Sequence, residues 1–188
     1  VPRCGLKLIS VTGVQLPNAM TVCDSALQDG ETVTAVAMRP LVRVIGHRYG
    51  GAFAAVKADG SVVTWGDAAD GGDSTAVREA LASDVLQVAG TSAAFAAVKA
   101  DGSVVTWGGM WDRAPEGGDS AASREALASD VLQVVGTGAA FAAVKADGSV
   151  VTWGSDLYGA DSSAVAAELA SGVVDITASK HSFAALKS

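Results

Sequence analysis

Short apolar runs alternate along this chain with polar, Gly-rich breaks, and the same run returns at a near-constant interval. Ala52–Gly66 reads Ala-Phe-Ala-Ala-Val-Lys-Ala-Asp-Gly-Ser-Val-Val-Thr-Trp-Gly, and Ala94–Gly108 and Ala140–Gly154 repeat it without a change. A second block, Arg78–Val88, recurs as Arg124–Val134 and in degenerate form as Ala166–Ile176. A partial fourth copy of the first block, Ser182–Ser188, reads Ser-Phe-Ala-Ala-Leu-Lys-Ser. Phe53, Phe95, Phe141 and Phe183 stand 42, 46 and 42 residues apart; the longer middle period comes from one insertion near Met110–Glu116. A period of this size marks stacked supersecondary units, none of which buries its apolar face alone.

The pattern inside one unit predicts its elements. Phe53–Ala58 is a strand of small and β-branched residues. Asp59-Gly60 is a two-residue hairpin signal, because that turn needs positive φ. Ser61–Gly66 returns as a second strand ending on an aromatic residue. A Gly-rich loop follows, and Asp73 or Ser74 is placed to cap a short helix over Ala76–Ser83. Val85–Val88 is a third strand. Phe53, Phe95 and Phe141, with Trp65, Trp107 and Trp153, recur with the period and are expected to form a buried core between successive units. Lys57, Lys99 and Lys145 recur too and are expected to line a solvated face, with an acidic partner as the secondary reading.

Composition narrows the function. Nearly half the chain is hydrophobic, which suffices for a core, while the formal net charge is -7. Nucleic-acid binding needs clustered Lys and Arg to neutralise phosphates, and no such cluster occurs. No apolar run approaches the roughly 18 to 20 residues that span a bilayer. Two cysteines, Cys4 and Cys23, are not a disulfide framework; free thiols and a single bridge both remain open. The chain begins Val1-Pro2-Arg3, which reads as a processed mature protein or a piece of a longer one.

At this point the pattern resembles a known family. Strand, Asp-Gly, Val-x-x-Trp-Gly, Gly-rich loop, then Val-x-x-Val-x-x-Gly is similar to the RCC1-type repeat of β-propellers. The resemblance runs from about Leu41 to Ser188, and Ala178–Leu186 is nearest the family's usual strand. It resembles most the compact Ala-rich variant of unicellular algae, with Gly-Gly-Asp-Ser loops, often labelled ubiquitin-ligase-like. The family's full propellers have about seven longer blades, and its Gln-Leu-Gly loop is replaced here by Gly-Gly-Asp-Ser. The resemblance therefore implies the repeat class and transfers no functional residue. Residues 1–40 differ: Leu6–Val14 alternates as a strand, and Ala26–Val36 resembles the closing strand of a ubiquitin-like β-grasp domain. We expect a shortened β cap at 1–40 and the repeat array at 41–188.

Candidate chemistry is sparse. Gly72-Asp73-Ser74 and Gly118-Asp119-Ser120 resemble a hydrolase nucleophile block. A hydrolase needs its serine once, with a histidine base in reach, and recurrence favours a capping role. The Asp-Gly-Gly-Asp loops lack the spaced carboxylates of a calcium loop. His47 and His181 with two cysteines do not make a repeated zinc site. No metal, cofactor or catalytic residue is expected. Trp111 stands outside the repeat, beside Met110 and near Arg113, residue types enriched at interface centres. It either meets a partner or folds back on its own unit. Phe183 and Leu186 lie on a strand whose hairpin partner is missing, and an exposed edge is a template for pairing. Either Leu6–Val11 completes that unit, or a partner covers it; we favour the partner.

The expected fold is mainly β with short helices: three full RCC1-like units and a partial fourth, in an open curved array more than a closed small propeller. The expected function is a non-enzymatic scaffold, a peripheral accessory subunit of a chloroplast photosynthetic membrane complex such as a photosystem at the thylakoid. Met110, Trp111, Arg113, Phe183 and Leu186 would bind other protein subunits. The alternative is a regulatory interaction fragment of an RCC1-like ubiquitin-ligase or exchange-factor-like protein.

Overall fold

A computed structural model describes residues 5–10, 15–16, 33–38, 42–47, 49–109 and 119–188. The chain divides into two compact units, Val1–Leu41 and Val42–Ser188. In the first, β1 (Gly5–Ser10) lies between β2 (Gln15–Leu16) and β3 (Val33–Met38), antiparallel to both. Its longer pairing runs from Gly5 opposite Met38 to Ser10 opposite Val33.

The second unit holds four small antiparallel sheets in sequence order. They are β4 (Val42–Gly46), β5 (Ala52–Lys57) and β6 (Val62–Gly66); β7 (Val85–Gly90), β8 (Ala94–Lys99) and β9 (Val104–Gly108); β10 (Val131–Gly136), β11 (Ala140–Lys145) and β12 (Val150–Gly154); and β13 (Val173–Ala178) with β14 (Phe183–Lys187). Each three-stranded sheet is a strand followed by the hairpin, so Val85–Val88 opens the sheet after the hairpin that precedes it in sequence. None of the sheets is closed, and the array is open.

The hairpin turn is one residue longer than Asp-Gly alone predicts. Lys57 N–H donates to Ser61 O and Gly60 N–H to Lys57 O, so the loop is Ala58-Asp59-Gly60 with glycine alone at positive φ, 78°. This is a type I turn closed by a left-handed residue. Asp59 Oδ1 accepts from the backbone and hydroxyl of Ser61, an Asx turn that Asp101 and Asp147 repeat. These bonds hold all three carboxyls below the ordinary carboxylate range, the Ser hydroxyl being the largest cause.

The expected helix over Ala76–Ser83 is a single 3₁₀ turn, Thr75–Val77, followed by further turns. The segment is too short to build α-helical hydrogen bonds past its costly nucleus. Asp73 makes an Asx turn to Thr75 N–H and Oγ1, while Ser74 bonds Thr64 instead of capping. That Thr–Ser pair recurs as Thr106–Ser120 and Thr152–Ser162. The Gly-Asp-Ser block thus ties each loop to its returning strand.

Cores form between sheets. Ala52, Ala54, Val56 and Leu81 from one unit meet Val85, Val88, Phe95, Ala97 and Trp107 of the next. Ala94, Ala96, Val98 and Leu127 meet Val131, Val134, Phe141, Ala143 and Trp153 in the same way. The third core is smaller: Ala142, Val144, Val173 and Ile176, with Val150, Leu169 and Phe183 packed against it. Small side chains on one face let the aromatic pair of the next sheet approach closely. Each Trp lies over its Phe at 5.3 to 5.6 Å between ring centroids.

Candidate interaction site at the first sheet

The first sheet carries the same residues as the next two but has a different environment. Phe53 and Trp65 are 43% and 45% exposed, whereas Phe95 and Trp107 are 1% and 5% exposed. The sequence expectation of burial therefore fails for Phe53 and Trp65 and holds for the later pairs. Phe95 and Trp107 pack against Ala52, Ala54 and Val56 of the sheet before them, whereas β4–β6 is the first sheet of residues 42–188.

Exposed apolar side chains flank Ala55, which is itself buried, on this face. Phe53 pairs with Trp65 across β5 and β6, and in the adjoining row Val44 pairs with Ala55 and Ala55 with Val63. Val44, Phe53, Val63 and Trp65 are all exposed large apolar side chains. An uncovered apolar patch rimmed by polar residues marks an interaction site, and a Trp beside a Phe supplies the rigid anchors of interface centres. Trp107 donates Nε1–H to Gly71 O of the unit before it.

No protein-family model and no curated protein matches the chain. Among solved structures it is similar to human WBSCR16, with a TM-score of 0.42 and 19% identity. That likeness covers 81% of this chain and 40% of the other, so the chain spans about two fifths of that protein's length.

A second feature was missed in the sequence. The only two histidines and only two tyrosines of the chain all sit along the edge where the loops joining the first two strands of each sheet converge. Ser92 N–H donates to Gly138 O, and Gly138 N–H to Lys180 O, linking three consecutive loops. Lys180 Nζ stands 5.2 Å from the Tyr49 ring centroid, tying the fourth loop to the first. Tyr158 packs on His181 at 4.9 Å, and His47 on Tyr49 at 5.9 Å. Burial, then the charge of Lys180, holds His47 below the ordinary histidine range. The signal was available: these residues all fall outside the identical blocks, where unit-specific chemistry must lie.

The other expected residues scatter. Met110, Trp111 and Arg113 lie outside the described residues. Phe183 is half-buried against the third core. Leu186 is 62% exposed. The lysine face is also different from the expectation. Lys57 is exposed, but Lys99 Nζ bonds Ala80 O at 2.7 Å and Lys187 Nζ bonds Glu168 O at 2.6 Å. Their ammonium groups satisfy carbonyls of the turn before each sheet. Among the described residues no group of His, Cys, Asp or Glu is arranged to hold a metal ion, and no helix is long and apolar enough to cross a membrane.

Proposed function

We propose that the chain is a non-enzymatic interaction module, a short array of RCC1-type units that binds another protein through its first sheet. One observation carries this reading: the stacked Phe53 and Trp65, whose equivalents Phe95–Trp107 and Phe141–Trp153 are buried against the sheet before them, are here open to solvent beside Val44 and Val63. Apolar area of this kind binds by leaving water, at about 25 cal/mol per Å². The finer reading, a peripheral accessory subunit of a photosynthetic membrane complex, rests on the resemblance of the repeats to those of unicellular algae.

The test is affinity purification of the tagged chain from its source cells beside Trp65→Lys and Phe53→Asp, with quantitative mass spectrometry. Proteins retained by the unaltered chain should be lost from both variants, while thermal melts stay within a few degrees. Identical retained sets for all three chains would overturn the reading.

A further inference from the structure

The loops that join the first two strands of each sheet span residues 47–51, 91–93, 137–139 and 179–182. Backbone contacts hold neighbouring loops together. Gly50 lies so close to Ser92 O that a Cβ there would collide with it. Ser92 N–H donates to Gly138 O, and Gly138 N–H to Lys180 O. The fourth loop meets the first by side chains instead, with Lys180 Nζ 5.2 Å from the Tyr49 ring centroid. We infer that this contact is an acid-sensitive clasp, opened by a single proton on His47. The clasp is a device within the fold and is independent of the interaction face on the first sheet.

His47 sits where it can control the contact. Its ring packs on Tyr49 with centroids 5.9 Å apart, so one tyrosine carries an imidazole and an ammonium together. His47 Nδ1 also accepts the Tyr49 N–H, at 3.3 Å. That bond needs a bare Nδ1 and leaves the proton of the neutral ring on Nε2. Burial, then the charge of Lys180, holds His47 below the ordinary histidine range. A proton arriving at Nδ1 therefore has two effects. It removes the acceptor of the Tyr49 N–H, and with it a bond that fixes the tyrosine in its loop. It also places a second positive charge beside Lys180, and like charges repel. Tyr49 is 64% exposed, and an ammonium over an exposed ring is held only weakly. Among the described residues no carboxylate forms an ion pair with Lys180 that would hold it against this repulsion. The other titratable groups of the edge are engaged elsewhere. His181 packs on Tyr158 at 4.9 Å, and Asp70 Oδ2 accepts the Gly51 N–H at 2.7 Å. Because the closed form disfavours a charged imidazole, the clasp is whole above the ordinary histidine value of about 6.5 and is lost as pH falls below it. The backbone bonds that join the second, third and fourth loops involve no titrating group, so the sheets stay stacked while this one contact opens.

The experiment follows the full 188-residue chain by NMR, from about pH 8 downward until the His47 Cε1–H signal reaches its charged position. The chain has two histidines, and His47→Gln assigns which signal is which. The clasp is read as the nuclear Overhauser contact between the Tyr49 ring protons and the Lys180 Hε protons. The amides of Phe95 and Phe141 report on the buried cores. The contact should be present at the upper end and disappear in step with the His47 titration, while the core amides stay in place. In His47→Gln the side-chain carbonyl can accept the Tyr49 N–H but cannot gain a charge, so the contact should survive the whole range. Lys180→Met should move the His47 midpoint upward, since one of the two causes that hold it down is gone. A contact that outlasts full protonation of His47, that vanishes equally in His47→Gln, or that is lost only together with the core amides overturns the inference. An unmoved midpoint in Lys180→Met does the same, because the two cations would then not meet. None of these results bears on the first-sheet reading, which is tested through Phe53 and Trp65.

Discussion

The first and second sheets share fifteen consecutive identical residues, Ala52–Gly66 and Ala94–Gly108, yet Phe53 lies in water and Phe95 is sealed. Both form the same hairpin with the same Phe–Trp stack. Local sequence fixes strand, turn and ring geometry, while burial belongs to the neighbour. In a stacked array, stability is a sum of unit and interface terms. Identical residues therefore carry different energies according to their rank.

The largest expected effect tests that difference directly. Phe95→Ala should cost about 3 to 5 kcal/mol, since it removes a fully buried ring and leaves a cavity between sheets. Phe53→Ala should cost about 1 kcal/mol, because the half-exposed ring loses little burial beyond its Trp65 stack. Urea titration of both variants against the unaltered chain decides. Equal losses would show that the first sheet is covered in solution and would remove the basis of the interaction site.

The repeat, the strand order within each hairpin and the aromatic cores between units were legible because each is written three times. A one-off substitution inside a repeat is harder to read. The Phe53 and Trp65 exposure was not legible, since the sequence of the first unit is the same as that of the buried ones. The Gly-Asp-Ser block looked like a helix cap; its Ser instead pairs across the loop with a Thr ten to fourteen residues upstream in sequence, a contact no local pattern announces. The converging His47, Tyr49, Tyr158, Lys180 and His181 come from loops as much as 134 residues apart, and only the stacking of the sheets brings them to one edge.

A middle-sized effect should separate the two inner interfaces from each other. At the second-to-third step Gln87 acts as a detached strand partner: its Nε2 donates to Val134 O at 2.8 Å and its Oε1 accepts Val134 N–H at 3.2 Å. At the third-to-fourth step Gln133 keeps one longer bond, 3.4 Å to Ile176 O, because Asp175 Oδ1 has taken the Ile176 N–H. Gln87→Ala leaves both backbone groups of Val134 without that partner and should cost about 1 to 3 kcal/mol. Gln133→Ala should cost about 1 kcal/mol or less. The two losses, measured by the same titration, should keep that order; the reverse order would mean that the side-chain latch is not what joins these sheets.

The smallest effect concerns the residue that precedes the first strand of each sheet. Asp84 and Asp130 hold φ near 64° and 66°, and the degenerate copy places Gly172 there at 76°. A left-handed backbone costs a side-chain-bearing residue about 1 kcal/mol, less for Asp, and glycine nothing. Against this, Asp84 Oδ2 accepts a bond from Ser83 Oγ at 2.6 Å, and glycine carries more entropy in the unfolded chain. The hydrogen bond is exposed, so its loss is small. Asp84→Gly should then stabilise by about 0.5 kcal/mol, and Gly172→Asp should destabilise by about as much. For a chain of this size, that is a shift of roughly 1 to 2 °C in Tm. Scanning calorimetry of both variants gives the sign. A fall of more than about 2 °C for Asp84→Gly would show that the Ser83 contact outweighs backbone strain. It would also show that the fourth sheet, carrying glycine at this position, starts from a weaker turn than its neighbours.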